Sequence, residues 1–161
     1  MKHFMILCML LALPAFGQTV RNPKLSQQDL AAAQAEATAA GGAGAELTYA
    51  TRIDAVEKGK FDSLVVIYAK PGSGGKDYYA LVARDGKKLP LAADQAGRAL
   101  PAGDRFLRIG LRHEGGKAPL LRVMGAMKDP AKPGEQQRNV DFQFNGAEFA
   151  VVGQSAMPLP K

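Results

Sequence analysis

Hydrophobic and polar positions alternate along most of this chain after residue 46, and the stretch it is organised around is residues 61–69, where the pattern runs apolar on both sides. In a strand, successive side chains point to opposite faces. Leu64, Val66 and Tyr68 then share one face, and Phe61, Val65 and Ile67 share the other. Both faces are apolar, which predicts a central strand covered on both sides and flanked by neighbours.

The same period-two rhythm defines its surroundings. Leu47, Tyr49, Thr51 and Ile53 fall on one side of a strand that returns through Glu57-Lys58-Gly59 into the central one. Pro71-Gly72-Ser73-Gly74-Gly75 leads into a third strand over residues 77–84. Asp85-Gly86 suits a type I′ hairpin, whose two central residues need positive φ, and sets Val82 opposite Leu89 and Ala80 opposite Leu91. Pro90 cannot donate to a ladder and directs the fourth strand to an edge.

After a turn-rich stretch over residues 94–103, Leu107, Ile109 and Leu111 face the core and Arg108 and Arg112 face outward. A loop of Glu114-Gly115-Gly116 pairs Ile109 with Leu121 and Leu107 with Val123, keeping apolar residues together. That register places Arg122 opposite Arg108. Residues 128–138 read as a surface loop. Asn145-Gly146 is the last hairpin turn, with Phe144 opposite Ala147, Phe142 opposite Phe149 and Val140 opposite Val151.

Upstream the period changes. Ser26-Gln27-Gln28-Asp29 has the form of a capping box, followed by an alanine-rich helix that Gly41-Gly42 ends. Alanine gives helix propensity but little apolar area, so this helix is a solvated spacer or a light cover, the spacer being favoured. No strand–helix–strand alternation follows it. The expected fold is all-β: an antiparallel meander of about 7–9 strands forming a small β-sandwich or barrel, preceded by one N-terminal Ala-rich helix.

The first residues change the picture of where the protein goes. Lys2, an apolar run from Phe4 to Leu13, and Ala15-Phe16-Gly17 form a secretory signal with a small-x-small cleavage site. The run is well short of the roughly twenty residues that span a bilayer. Cys8 lacks the context of a lipid-attachment site. The expected organisation is a signal peptide at 1–17, a flexible lead, helix and glycine hinge at 18–45, a β domain at 46–156 and a tail at 157–161. The destination is the periplasm or the outside of the cell, with no transmembrane segment after cleavage.

Cleavage removes the single cysteine, which leaves no disulfide, thiolate nucleophile or Cys-ligated metal. The mature chain keeps one histidine, His113, too few partners for zinc. Gly72-Ser73-Gly74-Gly75-Lys76 fails as a phosphate loop, because Lys70 stands where a glycine is needed and Asp77 where Ser or Thr is needed. Residues 54–66 faintly resemble the calcium-loop-plus-strand unit of integrin-type propeller repeats. Ala55, Val56 and two lysines replace most of the ligands and no second copy occurs, so an ordinary turn is favoured. Ser73 lacks a nucleophile-elbow context. No catalytic set, metal or cofactor is implied.

Charge is the remaining signal. Loss of Lys2 leaves 20 Lys and Arg against 15 Asp and Glu, a net +5 on the mature chain. The strand registers gather Arg108, Arg112 and Arg122 on one outer face, with His113 and Lys117 at its rim. Such a face is solvated and interleaved with acids, or it docks an anionic envelope polymer or an acidic protein. Nucleic acid is disfavoured, since no aromatic platform interleaves the basic residues. The reading is an exported non-catalytic binding domain. The alternatives are a small carboxylate-dependent hydrolase, or a structural subunit pairing through a sheet edge at the strand of Pro90 or along the alanine helix.

Overall fold

The central strand sits where two apolar faces require it. In a computed structural model that describes residues 20–21 and 25–159, the elements are β1 (Val20–Arg21), α1 (Gln27–Gly41), β2 (Glu46–Ile53), β3 (Ser63–Gly72), β4 (Gly75–Arg84) and β5 (Lys87–Pro90). They continue with β6 (Arg105–Arg112), β7 (Leu120–Lys128), β8 (Glu135–Phe144) and β9 (Phe149–Pro158). The expected signal peptide at 1–17 lies outside the described residues. The first sheet has the order β1-β2-β3-β4-β5, with only β1 parallel to its neighbour. The second is β6-β7-β8-β9, antiparallel throughout.

The two sheets pack face to face as a sandwich, which selects the sandwich over the barrel. Val65, Ile67, Ala80 and Val82 of the first meet Phe106, Leu121, Val123, Val140 and Phe142 of the second in one buried cluster. The crossing stretch between β5 and β6 plugs the same core, since Leu91, Ala99 and Leu100 are fully buried. It is pinned by the Ala99 amide donating to the Tyr78 carbonyl at 2.9 Å.

The opposite face of β3 is covered by α1. Ser26 is the N-cap, its hydroxyl accepting from the Asp29 amide, and Ala33 and Ala37 are fully buried on Ala50, Leu64, Val66, Tyr68 and Leu81. The helix is therefore a third layer and not a spacer. Alanine makes this workable: small side chains let a helix lie close on a sheet and lose no rotamer freedom. Ion pairs rim the contact, Asp29 with Arg52 at 2.6 Å and Glu36 with Lys88 at 2.8 Å. The Arg52 guanidinium, and less strongly the Ser26 hydroxyl, holds the Asp29 carboxyl below its usual range.

Several sequence-based pairings need correction. A bulge at Thr48 turns Leu47 to the helix side, away from Tyr49 and Ile53 on the core side. Phe61 precedes β3 and is 63% exposed instead of covered. The Asp85-Gly86 hairpin has the expected register, with Val82 opposite Leu89, and both turn residues have positive φ. The 145–148 connection does not. Asn145 Oδ1 accepts from the amides of Ala147 and Glu148, holding four residues in the loop. Phe144 thus faces Phe149, with rings 5.4 Å apart, Phe142 faces Val151, and Val140 faces Gln154. Likewise Ile109 pairs with Val123 and Leu111 with Leu121, and a bulge between Phe106 and Arg108 sends Phe106 to the core in place of Leu107. Between their turns and their bulges both hairpins slip by two residues, which leaves the faces there unchanged; beyond the bulges the faces shift, as Phe106 and the pairing of Val140 with Gln154 show. Residues 135–138 belong to β8 and not to a loop, and β9 extends to Pro158.

Candidate functional site

Two connections meet at one end of the sandwich, 54–62 between β2 and β3 and 113–119 between β6 and β7. Asp54 follows the last residue of β2 and is buried, with Ala55 fixed in the core beside it. Its Oδ2 accepts from the Gly59 amide at 2.7 Å, and Gly59 takes a left-handed φ of 84° that closes the loop. The same oxygen lies 3.4 Å from His113 Nε2. Asp54 therefore ties the two loops together through one carboxylate.

Between them opens a cleft of about 490 Å³, lined by Val56, Glu57, Lys58, His113, Glu114 and Lys117 along with the glycines of the second loop. Its acids are engaged by cations. Glu57 binds Lys60 at 2.8 Å, and Glu114 binds Arg112 at 2.8 Å. Lys58 and Lys117 make no ion pair among the described residues. The cleft keeps two ammonium groups and an imidazole for whatever enters it. Among the described residues, no hydroxyl or thiol side chain lines it.

The sequence-predicted residues divide. His113 and Lys117 line the cleft, and Arg112 reaches its rim through Glu114. Arg108 and Arg122 do not join them. The two-residue slip sets Arg122 opposite Gly110 and Arg108 opposite Met124, so Arg122 does not face Arg108 as expected. From the other side, β8 presents Asp141 directly opposite Arg122, and the pair closes two hydrogen bonds of 2.6 and 2.7 Å. That carboxylate holds the guanidinium above its ordinary value. Arg108 lies over the sulfur of Met124, with Nε 3.3 Å from it. The outer face is thus the acid-interleaved kind, and its arginines do not converge on a common point.

Asp54 and Lys58 were missed by sequence reading because they sit in what reads as an ordinary turn. The available signal was an aspartate ending a strand with a glycine five residues on. Among the described residues, no three His, Cys, Asp or Glu side chains converge as a metal site, and no helix is long and apolar enough to cross a membrane. Fold and site together define a helix-backed β-sandwich with a cleft between end loops that two lysines, two glutamates and a histidine line. Comparison with protein-family models, curated proteins and solved structures finds no significant match to this chain.

Proposed function

We propose that this chain is an exported, non-catalytic binding domain that takes an anionic group, from an acidic envelope polymer or an acidic protein segment, into the cleft between its end loops. The observation that carries this reading is the pair Lys58 and Lys117, which line the cleft with His113 and make no ion pair among the described residues, while Glu57 and Glu114 are held by Lys60 and Arg112. Loops at the end of a rigid sandwich are well placed for recognition, because the scaffold fixes them while their sequence is free to vary. The net positive charge of the chain adds attraction at long range. Export rests on the signal-like residues 1–17; a purified periplasmic form beginning at Gln18 supports it, and a retained Met1 contradicts it.

The test is retention on immobilised dextran sulfate at low salt. The Lys58→Ser/Lys117→Ser double variant should elute at clearly lower salt than the parent. Arg112→Ser should move it less, because it also frees Glu114. Unchanged elution of the double lysine variant overturns the reading.

A further inference from the structure

One strand edge is unlike the others. β9 ends its sheet, runs ten residues, and carries no charged side chain from Phe149 to Pro158. Val151, Val152 and Met157 on it are three of the four large hydrophobics exposed among the described residues. Sheet edges invite pairing by another strand, and proteins usually guard them with lysine, proline, short length or cover. The other edges are guarded. β5 has four residues, with Lys87, Lys88 and Pro90 among them, β2 is partly covered by β1, and β6 carries Arg105, Arg108 and Arg112. The devices on β9 are a bulge at Val152 and a proline at its last position alone, which leave Gly153–Met157 between them in regular register.

We propose that β9 is a dimer interface, pairing antiparallel with β9 of a second copy across a two-fold axis, so that two four-stranded sheets join into one of eight strands. The occupant follows from charge. The chain as a whole is strongly positive, so two copies repel except where the surface is neutral. Self-pairing of β5 or β6 sets like charges opposite one another, whereas self-pairing of β9 sets none. An acidic partner finds nothing on this strand to pair with. An axis near Gln154 and Ser155 brings Val151 and Val152 of one strand beside Met157 of the other, covering each exposed apolar group with its counterpart. Antiparallel pairing of identical strands is isologous, so the assembly closes at two.

The test is mass by sedimentation equilibrium across protein concentrations from about 1 to about 100 µM, a range that covers weak to moderate dimers. The full chain should approach twice 17.1 kDa. Val152→Lys and Met157→Lys, made singly, place charges at exposed positions and should each return the monomer with unchanged circular dichroism. Hydrogen exchange should show protection over 153–158 in the parent that either variant loses. A parent that stays monomeric, a dimer that survives both lysines, or an assembly that grows beyond two overturns the proposal.

Discussion

The two sheets of this sandwich are both four-strand meanders facing one core, yet they finish their outer surfaces by different means. The sheet of β2–β5 borrows a layer: α1 lies across it, and Leu64, Val66 and Tyr68 are buried beneath alanines. The sheet of β6–β9 has no such layer and closes its surface with its own side chains. Arg122 locks to Asp141, Arg108 lies along Met124, and Gln137 donates to Asn139, which donates to Ser155. Met124 is only 6% exposed and Asn139 is completely enclosed. A sheet face can therefore be dried by long amphipathic stems and satisfied amides as well as by an added element. The first solution is removable as a unit; the second is distributed over many small contacts.

Phe142 belongs to the core that both sheets share, so Phe142→Ala should ignore the difference between them. A loss of about 3–5 kcal/mol in one cooperative urea transition is expected; two separate transitions would show the sheets to be independent units. Ala37→Leu should strike the helix-covered face alone, at about 1–3 kcal/mol from overpacking. Its signature is faster hydrogen exchange over 27–41 with 120–144 unchanged. Arg122→Met should strike the other face, at about 1–3 kcal/mol, because it leaves Asp141 without its partner. The Arg122→Met/Asp141→Leu double variant should regain much of that loss, and a double variant no better than the single one would show that Arg122 acts by packing. Ser26→Ala should cost about 1 kcal/mol through the lost cap and loosen only α1.

Acid gives the mildest probe. The folded-state pKa of Asp29 lies below its ordinary 3.8, so the stability it contributes is present above that value and is lost as pH falls through the lower folded value. Protection factors over 27–41, taken relative to the intrinsic exchange rate at each pH, should therefore fall on acidification below 3.8, and Asp29→Asn should abolish that fall.

What the sequence made legible was most of the faces, and what it hid was registers and the bulges that turn Leu47 and Phe106 over. Period-two alternation assigns each residue to a side, and a slip of two residues leaves that assignment intact. Asp85-Gly86 set its register correctly because two left-handed residues in a row leave the backbone little choice. Asn145 used its side chain to hold a longer loop, a competing option that the Asn-Gly signature does not reveal. The Arg122–Asp141 pair depends on the β7–β8 register, so the basic face was overestimated. His113 and Lys117 could be found because they sit beside a glycine turn at a strand end. Asp54 and Lys58 come from a loop some sixty residues earlier, and only closure of the sandwich brings them near.

The alanine helix carries a consequence for the order of assembly. It leaves the ribosome before any strand it rests on, and a helix of fifteen residues with so little to bury is marginal when alone. Its seat needs β2, β3 and β4 together, because Ala50, Leu64 and Leu81 come from three different strands. The helix is synthesised before its seat and must settle after it, so its alanine face stays accessible until β2, β3 and β4 have paired.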